Sequence, residues 1–248
     1  MVDRFTDEEI ERYARHLVLR EVGGPGQQRL KAATVLIVGA GGLGAPAALY
    51  LAAAGVGAIR IVDPDVVDLS NLQRQVIYVG SDRGRPKVEA SAERLQGLNP
   101  NVVVTAMSQA FDDATADSLL DGVDLVLDGT DNFAVRFSVN AACVRHGIPL
   151  VSGAIGRWTG QVGVFGRQPC YRCLVPEIPP DAETCVVVGV IGALAGVIGS
   201  MMALEAVKLI TGAGETLAGR LLIYDALAAE TRTVRVAGDP DCPVCGAP

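Results

Sequence analysis

Residues 34–44 read Thr34-Val35-Leu36-Ile37-Val38-Gly39-Ala40-Gly41-Gly42-Leu43-Gly44. The short apolar, β-branched run predicts a strand. The glycines after it predict a tight turn into a helix over Leu43–Ala54, whose small apolar residues suit burial against a sheet. Gly39, Gly41 and Gly44 satisfy the spacing G-x-G-x-x-G, with Gly42 inside it. Glycine lets a backbone approach a phosphate or sugar, and the helix N-terminus turns N–H groups toward an anion. The next strand, Ala58–Val62, ends at Asp63, nineteen residues beyond Gly44, where a carboxylate can take a ribose hydroxyl. The motif implies a nucleotide; alone it does not separate NAD from ATP.

Downstream the alternation continues. A helix is expected around Lys87–Leu95, a strand at Val102–Ala106, a helix near Asp113–Leu120, a strand at Leu125–Asp128, a helix at Phe133–Arg145 and a strand at Leu150–Ala154. Such alternation implies a parallel sheet with helices on both faces. Beyond residue 155, Gln161–Phe165, Arg220–Tyr224 and Thr231–Val236 read as strands with few helices between them. The expected fold class is therefore α/β, a Rossmann-like parallel sheet continued by antiparallel strands into one mixed sheet.

Upstream, Thr6 and Glu9 form a capping box, and Ile10, Tyr13, Ala14, Leu17 and Val18 recur at helical spacing. Residues 7–20 thus read as one amphipathic helix, and Val22–Gly26 as a loop. One domain is expected over 1–248. It comprises an N-terminal helical arm (1–30), a nucleotide-binding half (31–155) and a mixed-strand half (156–248). The last carries a Pro-rich, acidic crossover loop at 176–184, expected to be mobile.

Composition narrows the function. Of 248 residues, 50% are apolar, so a sizeable core is available and disorder is excluded as the main character. The formal charge is −7, the isoelectric point is near 4.9 and 4% of residues are aromatic, which argues against a nucleic-acid partner bound by a basic face or stacking platform. With only two histidines, His16 and His146, a zinc hydrolase built on several His ligands is not expected. The charged N-terminus lacks a secretory h-region, so a cytoplasmic location is expected.

Four of the six cysteines form two C-x-x-C pairs, Cys170/Cys173 and Cys242/Cys245, separated by 68 residues. If the pairs converge they make a closed four-thiolate zinc site, structural rather than catalytic. The pairs also bear on Val186–Leu204, 19 residues without a charge. A single bilayer crossing there would put the pairs on opposite sides of about 30 Å of hydrocarbon, so a buried helix, suited to a subunit interface, is the better reading. Gly189, Gly192, Gly196 and Gly199 would permit close packing of that helix. Cys185, at the join of loop and apolar run, is a candidate nucleophile, because a helix N-terminus lowers a thiol pKa. Cys143 reads as core.

Two further segments carry charge toward the glycine turn. Asp68-Leu69-Ser70-Asn71-Leu72-Gln73-Arg74-Gln75 and Gly84-Arg85-Pro86-Lys87 offer Arg74 and Lys87 as clamps for a triphosphate. Hydride transfer needs no such cations, whereas nucleotidyl transfer does, because charge spreads over phosphate oxygens in its transition state. Asp128-Gly129-Thr130-Asp131-Asn132 follows a strand, where a carboxylate can hold Mg²⁺ and where Asp131 or Asn132 can equally cap the next helix.

Together, Arg12-Tyr13-x-Arg15, Gly39-x-Gly41-Gly42-Leu43-Gly44, Ser70-Asn71-Leu72-Gln73-Arg74-Gln75, Pro86-Lys87, Thr130-Asp131-Asn132 and the cysteine pairs resemble the E1-like adenylyltransferases of the MoeB/ThiF family, over about residues 5–246. The resemblance implies an enzyme that binds Mg-ATP and the C-terminal Gly-Gly of a ubiquitin-like sulfur carrier protein of the MoaD or ThiS type. The carrier carboxylate attacks the α-phosphate, giving an acyl-adenylate and pyrophosphate ahead of thiocarboxylate formation for molybdopterin or thiamine biosynthesis. It implies that Gly39, Gly41, Gly42, Gly44 and Asp63 bind nucleotide, along with Ser70, Asn71 and Asn132. Arg74 and Lys87 would contact phosphates and Asp131 would hold Mg²⁺. Arg15 would reach into a neighbouring subunit's site, implying a homodimer. Cys185 matches a loop cysteine that some members link covalently to the carrier or its sulfur. Gly129 stands where several relatives are expected to have Cys, with no effect expected on the chemistry. The sequence ends at Pro248, so a separate persulfide donor is expected. The alternatives weighed are an NAD-dependent oxidoreductase, which leaves Arg74 and Lys87 unexplained, a non-catalytic scaffold, and a related enzyme activating a tRNA-linked carboxylate.

Overall fold

Thr34–Val38 (β1) lies in the middle of an eight-stranded sheet because it is apolar on both faces: Leu36 and Val38 enter one core, Val35 and Ile37 the other. The computed structural model describes residues 4–178 and 189–246. Ala58–Val62 (β2), Val103–Met107 (β3), Leu125–Asp128 (β4) and Leu150–Gly156 (β5) complete a parallel half. Thr159–Phe165 (β6), Arg220–Asp225 (β7) and Glu230–Arg235 (β8) add antiparallel strands, in the order β3-β2-β1-β4-β5-β6-β7-β8. The expected mixed sheet is what forms.

Register positions the site. Val38 pairs with Val62 on one side and with Asp128 on the other. Three strands therefore end level, and the segments leaving them open from one edge. The strand order reverses between β2 and β4 around β1, and a crevice at the carboxyl ends of such strands is where open α/β sheets bind ligands.

Helices cover both faces. Gly23–Ala32 (α3), Gly44–Ala54 (α4), Lys87–Leu98 (α5) and Gly192–Thr211 (α9) bury Leu30, Leu51, Leu95 and Ile198 against one face. Ala116–Leu120 (α6), Phe133–His146 (α7) and Tyr171–Leu174 (α8) bury Leu119, Val139 and Tyr171 against the other. α9 is the helix from the uncharged run. By length and composition it could cross a membrane, yet 44% of its most apolar window is buried within the fold. Gly199 is what lets it approach: a Cβ there would lie 2.6 Å from Leu43 O and 2.4 Å from Pro46 Cγ.

Three expectations are corrected. Residues 7–20 form two short helices, Asp7–Arg12 (α1) and Ala14–Leu17 (α2), rather than one. The break lets Tyr13 turn inward, where its hydroxyl accepts from Asn99 Nδ2 at 2.8 Å. Val22–Gly26 is not a loop throughout, because α3 begins at Gly23. Pro25 falls in the first turn, where no intrahelical N–H is lost. The helix expected from Asp113 begins at Ala116, because the Asp112 carboxylate captures the N–H groups of Ala114 and Thr115 as a turn. The crossover loop at 176–184 lies mostly outside the described residues, and Cys185 wholly so.

Candidate active site and metal centre

The glycine turn leaves β1 with Gly39 at φ +91°, a conformation L side chains rarely adopt, and a Cβ on Gly44 would sit 1.8 Å from Gly39 O. Strand and helix thus pack through the turn itself, and Gly44 acts by closeness rather than by lining the crevice. Gly129, leaving β4, abuts the same point: a Cβ there would lie 2.9 Å from Gly44 N. The residue at 129 is therefore a packing constraint in this chain. Ala45 N donates to Gly41 O. The N–H groups of Gly41 and Gly42 meet no protein acceptor among the described residues, which leaves them for an anion.

Around this turn opens a cavity of about 780 Å³. Gly39, Gly41, Gly42, Asp63, Asn71, Arg74, Lys87, Asp131 and Asn132 all line it. Spacing and the family resemblance together propose these residues from five separate segments, and the fold brings them to one place.

Each is held by its own neighbourhood. Asp63 is buried, accepting from Ala40 N at 2.7 Å and from Asp65 N at 2.8 Å. Each carboxylate oxygen keeps a lone-pair site for a further donor. Asp68 caps a 3-10 turn, Leu69–Asn71, accepting from Ser70 N and Ser70 Oγ at 2.8 and 2.7 Å. The Ser70 hydroxyl bond, then its amide, hold that carboxyl below its ordinary pKa. Ser70 is spent on the turn and does not line the cavity, whereas its carbonyl accepts from Arg74 Nη1 at 3.0 Å and so aims the guanidinium. Lys87 opens α5 and is 5% exposed, with Nζ 2.7 Å from Asp65 Oδ2. Asn132 caps α7, accepting from Ala134 N and Val135 N. Asp131 is exposed at the cavity wall.

Arg15 is not brought to the cavity of its own chain; it lies exposed on α2.

Sequence reasoning missed three lining residues. Asp65, partner of Lys87, was signalled only by the Asp-Pro-Asp that follows β2. Gln75 is 3% exposed, and its Oε1 finds no partner although buried, so it offers an acceptor to a ligand. Arg136, one turn into α7, is 5% exposed and donates to Ser152 Oγ (3.3 Å), Gly153 O (2.7 Å) and Thr130 O. Burial works against its charge, but the Asp128 carboxylate raises its pKa, so it stays a cation. Asp128 itself accepts from Thr130 N, Thr130 Oγ1 and Ser152 Oγ. Two carboxylates leave β4 together; the buried one is consumed in holding the loop, and Asp131 faces the cavity.

At the other end of the sheet the cysteine pairs converge. The Sγ atoms of Cys170, Cys173, Cys242 and Cys245 all lie within 4.8 Å of one another, with Cys170–Cys242 at 3.7 Å and Cys173–Cys245 at 3.4 Å. Tetrahedral zinc with Zn–S bonds of 2.3 Å requires S···S near about 3.8 Å. Asn140 Nδ2 donates to Cys170 Sγ at 3.5 Å and Asp239 N to Cys173 Sγ at 3.4 Å, an outer layer that orients thiolates. The donor set fits a metal. Cys143 is core: burial, then the Asp128 charge, push its thiol up to about 12.

A glycine turn, two cations and an exposed carboxylate at the switch point of a mixed sheet, with a thiol knot beyond, define an E1-like adenylation fold. The chain belongs to the ThiF family, whose model matches residues 13–244. It is 49% identical over 252 residues to a sulfur carrier protein adenylyltransferase of Thermus thermophilus, covering 98% of this chain and 93% of that one. It is 46% identical over 244 residues to a molybdopterin-synthase adenylyltransferase of Escherichia coli, covering 97% and 98%. Among solved structures, Escherichia coli MccB matches with a TM-score of 0.84 at 24% identity over 95% of this chain and 75% of that one, a likeness of fold.

Proposed function

We propose that this chain is an ATP-dependent adenylyltransferase acting on the C-terminal Gly-Gly carboxylate of a ubiquitin-like sulfur carrier protein, ahead of thiocarboxylate formation for molybdopterin or thiamine biosynthesis. The observation that carries it is the gathering of Arg74, Lys87 and Asp131 from three segments around the glycine turn. The names of its ThiF relatives supply the substrate class.

The chemistry follows from charge. A carboxylate is a poor acyl donor until its oxygen is joined to a good leaving group. Its oxygen attacks the α-phosphorus, and the bond from that phosphorus to the bridging oxygen of pyrophosphate breaks. The products are the acyl-adenylate and pyrophosphate, and no general base is needed, since the nucleophile is already ionised near neutral pH. Two anions must approach, so cations placed before they arrive lower the barrier. Gly41 and Gly42 give N–H groups to phosphate, Asp63 takes ribose hydroxyls, and Asn71, Arg74 and Lys87 meet phosphate oxygens. Mg²⁺, a hard cation suited to the exposed Asp131 carboxylate, supplies further neutralisation when bound. Zn²⁺ fits the four thiolates and has a structural role. Among the described residues no thiol lines the cavity. In this reading sulfur is delivered by a separate persulfide donor, with Cys185 as the candidate for a covalent link.

The reading also makes a homodimer. Arg15 is exposed and stands outside its own cavity, which leaves it available to a partner's. Val197, Met201 and Leu204 of α9 with Leu49, Tyr50 and Val76 line an open apolar groove, suited to a second copy of the chain. Val76 follows Arg74 closely, so a partner seated there would border the site. A cytoplasmic location suits the reduced thiols.

Carrier-dependent ATP–pyrophosphate exchange is the test: a Gly-Gly-terminated carrier with Mg-ATP should give exchange, and none would end the reading. Arg15→Ala mixed with Arg74→Ala should recover activity through one intact shared site; no recovery after verified subunit exchange would remove the shared site.

A further inference from the structure

We infer that Tyr78 is a positioning residue for the nucleotide's phosphates, acting through the Ala40–Gly41 peptide of the glycine turn. The inference rests on the reading of the cavity as an ATP site. Tyr78 lies outside the cavity lining and is 5% exposed. Its hydroxyl donates to Ala40 O at 2.7 Å and stands 3.0 Å from Ser91 Oγ on α5. A phenol has one proton, so with that proton on Ala40 O the Ser91 hydroxyl is the donor to Tyr78 Oη. Burial raises the phenol's pKa far above its ordinary value, outweighing the Ser91 bond, so it remains a donor.

Ala40 is gripped from both ends, because its N–H donates to Asp63 Oδ2 at 2.7 Å. The Ala40–Gly41 peptide is a rigid trans plane with C=O and N–H on opposite edges. Fixing the carbonyl toward Tyr78 therefore fixes the Gly41 N–H pointing away from it. Gly41 lines the cavity, and its N–H meets no acceptor among the described residues. Glycine on either side of Ala40 makes a flip of this peptide easy. Tyr78 removes that freedom before phosphate arrives, and it does so without touching the ligand. Asp63 thereby does two things, holding the turn and facing the ribose.

The test titrates the full chain with Mg-ATP and, separately, with adenosine, which lacks phosphates. Tyr78→Phe removes the hydroxyl, and with it both the bond to Ala40 O and the acceptor for Ser91. It should weaken ATP binding about three- to tenfold, the worth of one net hydrogen bond, and leave adenosine within about twofold. Ser91→Ala should weaken ATP less, in the same direction. In exchange assays the change should fall in KM for ATP and spare KM for the carrier. Equal weakening of ATP and adenosine, or no change in either, would overturn the role of Tyr78 while leaving the site reading intact. Wild-type chain that fails to bind ATP would overturn both. If Tyr78→Phe does not fold, Ser91→Ala decides by the same comparison.

Discussion

The two ends of the sheet treat their polar atoms in opposite ways. At the crevice, Gly41 and Gly42 N–H, Gln75 Oε1 and the Asp131 carboxylate have no hydrogen-bond partner in the protein among the described residues. At the thiol knot, all four sulfurs face one another and two receive donors from behind. A region that leaves groups unpartnered keeps that energy for a ligand; a region that closes them keeps it for the fold. Tyr171 joins the two ends, since it follows Cys170 and its ring lies 5.9 Å from the Arg136 guanidinium.

Mutations should separate the ends. Lys87→Met, at the crevice, is expected to cut carrier-dependent exchange about 10²–10³-fold, the usual loss for one preorganised charge partner, with the unfolding midpoint little changed. Gly44→Ala forces a methyl onto Gly39 O. It should cost about 3 kcal/mol in denaturant unfolding and abolish ATP binding together, because fold and site share that turn. Cys173→Ser, at the knot, should release bound metal and lower Tm by about 10 °C, yet leave exchange at 25 °C within about threefold. If it instead abolishes ATP binding, the two ends are one unit coupled through Tyr171 and the contrast fails.

The smallest effect belongs to the arm. Burial opposes ionisation of Glu9, but the Thr6 amide and the Lys31 ammonium at 3.0 Å outweigh it and depress its pKa. A depressed carboxyl stabilises the fold fully above its unfolded pKa, about 4.3, and that stability is lost as pH falls through the lower folded value. The Tm difference between wild type and Glu9→Gln should therefore be present at pH 7 and vanish near pH 3. A difference that grows on acidification would reverse the assignment.

Where a signal was local, it could be read. The β1 strand, the glycine turn, β2 and β4 follow from apolar runs ended by glycine or aspartate, and all three strands begin and end where expected. Thiol spacing proposed the knot, although only the sheet's antiparallel return brings Cys242 to Cys170. The α3 start was hidden because Gly-Gly-Pro-Gly has loop chemistry and is helical here by packing against α9, with Gly26 beside Thr211. Tyr13 broke a regular helical period to reach Asn99, a partner 86 residues away. Asp65 and Arg136 escaped notice for the same reason: their meaning is a partner, and no spacing rule names it. Arg74, Lys87 and Asp131 were legible as chemistry, and their meeting in one cavity is the product of register.

That register has a consequence for how the chain can vary. Val38, Val62 and Asp128 stand side by side, so the three segments that build the crevice start from a common baseline. Lengthening an outer connection leaves the baseline alone. Adding one residue inside β1, β2 or β4 would lift one wall by about 3.3 Å and turn its side chains to the opposite face. Insertions and deletions should therefore be tolerated in outer connections away from the crevice and refused within these strands.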